Sequence, residues 1–203
     1  MTLTHKRGAA AIGYLEELKG GLDSIVATDR DGAPVDLSEA FSTAIEMVTT
    51  AGLGPGTSKL MFIGNGGSAA MAAHGATDYF KNGEFRATSF TDAALLTCLS
   101  NDYGYEYVYE KPIRRLGFAG DLLIAISSSG RSPSILNAVQ AASELSIGII
   151  TMSGFDSDNP LRSSGDLNFH IPSHNYPTVE AVHMAVIDAV LQSSRQTRTR
   201  EDQ

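Results

Sequence analysis

Residues 59–80, KLMFIGNGGSAAMAAHGATDYF, decide how the rest of the chain is read. The apolar run at 60–63 has the length and character of a short buried strand, and the alanine-rich stretch at 69–80 has high helix propensity. Between them stands Gly64-Asn65-Gly66-Gly67-Ser68. Strand, glycine loop and helix in that order aim backbone N–H groups and the positive end of a helix at an anion, usually a phosphate. Four residues apart on the helix, His74 and Asp78 share a face and form a candidate acid/base or metal-binding pair.

Downstream the pattern recurs. Residues 122–126, LLIAI, are continuously apolar, as in a parallel strand buried on both faces, and SSSGRS follows at 127–132. Pro133 then suits the first turn of a helix. One serine is enough to cap a helix; four hydroxyls beside a second helix start point to a bound anion. Residues 147–152 and 167–171 read as further strands, 85–90 as a short one, and helices are expected near 93–99, 107–116, 133–145 and 178–194. Strands alternating with helices predict a parallel sheet covered on both sides, with ligands at the carboxyl ends of the strands, where both loops fall.

Upstream, Ile12, Leu15, Leu18, Leu22 and Ile25 form a helical stripe, to be buried on the domain or on a second copy of the chain. The turn-rich DRDGAPVD at 29–36 ends that helix. A second helix starts near Asp36, with Glu39 as its capping-box partner and Leu37, Phe41, Ile45 and Val48 on its apolar face; residues 52–56 close it. The expected organisation is a helical extension at 1–58, an α/β domain at 59–194 and a charged tail at 195–203.

Composition removes several classes. A net charge of −8 argues against nucleic acid as partner. The single cysteine, Cys98, excludes an internal disulfide and a cysteine zinc knuckle. No stretch is apolar for long enough to span a membrane and no secretory signal is recognisable, so a cytoplasmic location is expected. Neither the nucleotide-binding P-loop pattern nor the G-x-G-x-x-G dinucleotide pattern occurs. The last helix adds Glu180, His183 and Asp188 among apolar residues; Glu180 and His183 stand at i, i+3 on a shared face.

Taken together, GNGGSAAMAAHGATD (64–78), CLSNDYGY (98–105), GDLLIAISSSGRSPSIL (120–136), IITMSGFD (149–156) and IPSHNYPTVEAVHMAVID (171–188) resemble the sugar isomerase (SIS) domain family, and within it the phosphoheptose isomerase branch. The resemblance implies a three-layer α/β/α sandwich with a five-stranded parallel sheet, a homotetramer with sites between subunits, and a sugar phosphate as ligand. It implies that Ser68, Ser127, Ser129 and Ser132 hold the phosphate with the Asn65-Gly66-Gly67 loop, that Ser128 stands where threonine is usual, and that Asp102 lies near the sugar hydroxyls.

The implied reaction is aldose–ketose isomerisation of sedoheptulose 7-phosphate through an enediol, in which a base removes the proton next to the carbonyl. On this reading Asp78, His183 and Asp188 are the proton-transfer candidates. His74, Asp78, Glu180 and Asp188 are the ligands of a divalent metal, zinc or the more oxygen-preferring manganese. The chain departs from the family at three of these: Asp78 replaces glutamate, Glu180 glutamine and Asp188 histidine. The last departure also resembles the DnaA initiator-associating SIS proteins, which keep the fold and act as scaffolds.

Overall fold

The computed structural model describes residues 3–54 and 56–201, with side chains described for 7–54 and 56–196. Five parallel strands form its centre: β3 (Leu60–Gly64), β4 (Ala87–Ser89), β5 (Leu122–Ser127), β6 (Gly148–Gly154) and β7 (Leu167–Ile171). They run parallel, as the alternation of strand and helix predicts, and lie in the order β7-β6-β5-β3-β4. Two strands that the sequence reading left out extend this sheet to seven. β1 (Val26–Asp29) pairs antiparallel with β7, and β2 (Pro34–Val35) pairs antiparallel with β1. The DRDGA turn makes that hairpin: Asp29 Oδ1 accepts from the amides of Asp31 and Ala33, and Gly32 takes a positive φ of 77°.

Alternate residues of the central strands face opposite layers. Leu60, Phe62, Ile124, Ile150 and Phe169 meet α2 (Leu37–Leu53), α3 (Gly67–Gly83) and α7 (Tyr176–Glu201) through Ala44, Val48, Ala72, Val186 and Ile187. Met61, Ile63, Leu123, Ala125 and Ile149 meet α5 (Glu110–Leu116) and α6 (Pro133–Glu144) through Ile113, Ile135 and Ala138. This is the expected three-layer sandwich. The stretch at 1–58 is more than a helical extension, because it supplies the β1–β2 hairpin and a helix of the main core. Asp36 caps α2 as expected, its carboxylate accepting from the amides of Ser38 and Glu39. α4 (Ala93–Tyr103) bridges β4 to α5 by way of a short 3₁₀ turn at Tyr105–Tyr107.

The stripe on α1 (Leu3–Asp23) divides. Leu18 packs with Ile25 against Ile171, Val179 and Val182, while Ile12, Leu15 and Leu22 are exposed. α7 continues to Glu201, past the boundary expected at 194; residues 202–203 of the expected tail, and Pro55 of the 52–56 segment, lie outside the described residues. No helix among the described residues is long and apolar enough to cross a membrane.

Candidate active site

β3 and β5 are neighbours, with Gly64 paired to Ile126, so the loops that leave them emerge side by side at the carboxyl edge of the sheet. Close contact sets the first loop. A Cβ on Gly64 would stand 2.4 Å from the Ser68 carbonyl oxygen, so only glycine lets α3 begin this near the strand. Gly66 then turns with φ 55°. Tyr109 anchors the strand end by donating its hydroxyl to the Gly64 carbonyl. Asn65 ties the two loops together, since its amide donates to Ser134 Oγ at 2.9 Å and accepts from the Tyr105 hydroxyl at 2.8 Å.

The result is a cavity of about 260 Å³ lined by Asn65, Gly66, Gly67, Ser68, Ile126, Ser127, Ser128, Ser129, Ser132, Tyr176 and Glu180. Every residue expected to hold a phosphate is in that lining. Ser68, Ser127 and Ser128 are buried, and Ser128 Oγ has no hydrogen-bond partner. A buried hydroxyl without a partner costs about 1–3 kcal/mol, and at the wall of an anion-shaped cavity a ligand oxygen is its natural acceptor. Ser127 Oγ lies 3.4 Å from Ser132 Oγ, and the amide of Arg131 donates to Ser129 Oγ at 3.3 Å. The starts of α3 and α6 converge on the same space, so N–H groups and dipoles from two helices add to the hydroxyls.

Glu180 reaches the cavity from α7. Its carboxylate covers the Cα of Gly67, where an added Cβ would meet Oε2 at 2.3 Å and Oε1 at 2.4 Å. His74 and Asp78 lie further along α3, outside the cavity lining, with His74 exposed. Seven residues separate Gly67 from His74, about 10 Å along the axis at about 1.5 Å per residue. His74 Nε2 is 3.3 Å from Asp78 Oδ2, and Asp78 Oδ1 also accepts from Asn82. Asp188 stands near both. Burial pushes its carboxyl above the usual range, the His74 imidazole pulls it down, and the Asp78 carboxylate pushes it up again.

One imidazole and two carboxylates are a donor set that suits a divalent cation. His74, Asp78 and Asp188 therefore fit a metal in kind and neighbourhood. Glu180, held at Gly67, does not join them. Among the described residues no three His, Cys, Asp or Glu side chains already stand at ligand spacing, so the four-ligand set implied by the resemblance is not assembled.

Two further residues are placed elsewhere. His183 is fully buried and its Nε2 donates to the Ser153 carbonyl at 3.0 Å, leaving Nδ1 without a partner. Burial lowers its pKa to about 4, against the smaller opposing pull of the Ser153 bond. Expected as a proton-transfer group sharing a face with Glu180, it faces the core instead. Residues at i and i+3 differ by about 60° around a helix, enough to turn one to the cavity and the other to the sheet. Asp102, expected near the sugar, is exposed on α4, where its carboxylate accepts from Asn101 at 2.9 Å; it does not line the cavity. Tyr176 does line it, and its type and spacing gave no reason to single it out.

The chain matches the SIS domain family over residues 13–154. It is 37% identical over 172 residues to a phosphoheptose isomerase of Bradyrhizobium sp. (strain ORS 278), covering 80% of this chain and 82% of that protein. With the phosphoheptose isomerase of Shewanella denitrificans it shares 32% identity over 197 residues, covering 93% and 99%. The solved phosphoheptose isomerase of Neisseria gonorrhoeae superposes with a TM-score of 0.78 at 29% identity, over 94% of this chain and 99% of that one. The likeness extends over nearly the whole chain and includes both loops that build the cavity, and on this ground the chain belongs to the SIS domain family, in its phosphoheptose isomerase branch.

Proposed function

We propose that this isomerase converts sedoheptulose 7-phosphate to a heptose 7-phosphate through an enediol. The observation that carries the reading is the cavity at the paired strand ends, with two helix starts and five serine side chains, one of them a buried unpartnered hydroxyl, turned on a space of sugar-phosphate size. Ser68, Ser127, Ser128, Ser129 and Ser132 hold the phosphate with the loop amides, and this fixes the sugar chain relative to the groups that move protons. Glu180 faces the sugar from α7.

Isomerisation then needs a base to take the proton from the carbon beside the carbonyl and an acid to protonate the oxygen. Asp78 and Asp188 are the carboxyls for these steps. His74, Asp78 and Asp188 would hold a divalent cation, zinc or manganese. Such a cation supplies Lewis-acid polarisation of a carbonyl oxygen. A homotetramer is the working form of this reading, with the exposed Ile12, Leu15 and Leu22 on α1 available for a contact between copies, and a cytoplasmic location goes with it.

Incubation of the purified chain with sedoheptulose 7-phosphate, with zinc or manganese added in turn, is expected to yield an aldose phosphate. Absence of product with either metal rejects the reaction. A second reading, a phosphosugar-binding scaffold of the initiator-associating kind, draws on Asp188 in place of histidine and on a metal set that is not assembled. Sugar-phosphate binding without turnover, together with stable capture of a replication initiator, is the outcome that selects it.

A further inference from the structure

Among the described residues lining the cavity, Tyr176 alone is aromatic, and the surroundings hold it unusually firmly for a side chain left 55% exposed. Phe155, just beyond the end of β6, meets the Tyr176 ring edge to face, with centroids 4.7 Å apart and planes at 83°. Its other neighbour is His174, stacked 5.5 Å away at 19°, whose Nε2 lies 3.6 Å from Asp156 Oδ1. From the opposite direction α1 clamps the same segment, as Glu17 accepts from Asn175 Nδ2 at 2.9 Å and from Thr178 Oγ1 at 3.0 Å. The residues on either side of Tyr176 are thereby tied down.

Phe155 adds an independent sign. Its φ is 60°, in the left-handed region that bulky side chains rarely adopt, and its amide donates to the Ser173 carbonyl at 3.1 Å. A strained backbone persists where the surrounding contacts over-determine it, and such residues gather at binding sites. Glycine or asparagine would occupy this backbone more easily; what phenylalanine adds is the ring behind Tyr176.

We propose that Tyr176, buttressed by Phe155, which His174 backs in turn, is the wall that receives the carbon face of the sugar, and that it makes the cavity prefer a sugar phosphate to phosphate alone. The inference rests on the phosphosugar reading above. The rest of the lining is serine, glycine, Asn65 and Glu180, with Ile126 as its other apolar residue. These groups serve the phosphate and the hydroxyls. The C–H face of the sugar needs an apolar partner, and an aromatic ring held in place supplies one at little cost in side-chain freedom. Covering about 50 Å² of ring at about 25 cal/mol per Å² gives nearly the 1.4 kcal/mol that corresponds to a factor of ten in affinity.

The test is calorimetric titration of the full chain with sedoheptulose 7-phosphate and, separately, with inorganic phosphate. Tyr176→Ala is expected to weaken the sugar phosphate about tenfold and inorganic phosphate less than twofold. Tyr176→Phe should restore most of the loss. Phe155→Asn, which suits the left-handed backbone but removes the buttress, should give a smaller loss of the same selective kind. Equal weakening of both ligands, or none for the sugar phosphate, overturns the proposal. A wild-type chain that binds sedoheptulose 7-phosphate no better than inorganic phosphate removes the phosphosugar reading as well. Preference in the wild type that survives in Tyr176→Ala removes the wall alone.

Discussion

Replacing Gly64 by alanine tests whether α3 starts as close to β3 as the cradle requires. The added methyl would lie 2.4 Å from the Ser68 carbonyl oxygen, 2.5 Å from its carbon and 2.8 Å from Ser68 Cβ. Non-bonded carbons need about 3.5 Å or more, so the first turn of α3 has to retreat by about 1 Å. Nothing flexible can yield, because the obstacle is the helix backbone itself. Overpacking of this kind costs about 1–3 kcal/mol, and a backbone clash belongs at the upper end. At about 2–4 °C per kcal/mol for a chain of this size, Tm should fall by about 6–12 °C. Gly67→Ala is the internal comparison. Its nearest contacts, at 2.3–2.5 Å, are all in the Glu180 carboxylate, which can swing aside, so Tm should stay within about 2 °C while sugar-phosphate affinity falls. Thermal unfolding followed by circular dichroism, at one fixed protein concentration, reads both. A Gly64→Ala chain melting within about 2 °C of wild type, or a Gly67→Ala chain falling as far as Gly64→Ala, would refute the geometry of the cradle.

Two more outcomes follow from buried polar groups. Ser128→Ala deletes a hydroxyl that has no partner in the fold, so stability should hold or rise by about 1 kcal/mol while inorganic phosphate binds about tenfold more weakly; unchanged phosphate affinity would take Ser128 out of the cradle. His183 ionises near its ordinary 6.5 when unfolded and at about 4 in the fold, so as pH falls the unfolded chain takes up the proton first. Stability is then fully present above about pH 6.5 and drains as pH falls toward 4, by about 2 kcal/mol at pH 5. Urea unfolding at pH 7.5 and 5.0 should show that loss, and His183→Gln should shrink it; an undiminished pH slope in the variant would count against the buried neutral imidazole.

The cradle was legible because each of its parts leaves a local signature. A five-residue strand buried along its length reads as a continuous apolar run, a close helix start demands glycine, and surplus serines beyond one cap mark a ligand. The β1–β2 hairpin was hidden for the opposite reason. Its strands have four and two residues, too few for any period, and their apolar content merges with the end of α1. Asp31-Gly32 is the available signal, a dipeptide that favours hairpin turns but equally suits the end of a helix. His183 and Glu180 show a limit of another kind. Spacing along a helix places two residues within about 60° of each other, and the boundary between cavity and core falls inside that angle. Tyr176 was invisible because its role depends on Phe155, distant in sequence and held in a conformation that no propensity predicts.

The division of the site follows from how α7 lies on α3. Glu180 meets Gly67, Ile187 Cγ2 would stand 3.1 Å from a Cβ on Gly75, and Leu191 Cδ1 2.8 Å from one on Gly83. The two helices therefore run in the same direction, and glycines along α3 let them approach. In that register a residue's height on α7 fixes which part of α3 it can serve. Glu180 is level with the start of α3 and the phosphate loops. Asp188, eight residues later and about 12 Å further along the axis, is level with His74 and Asp78. One carboxylate cannot attend both heights while α7 stays straight. Glu180 is thus level with the cradle, and the height of His74 and Asp78 is left to Asp188. There the shorter side chains of Asp78 and Asp188 reach less far than the glutamate and histidine of the family pattern. Among the described residues these donors are therefore neighbours without standing at ligand spacing.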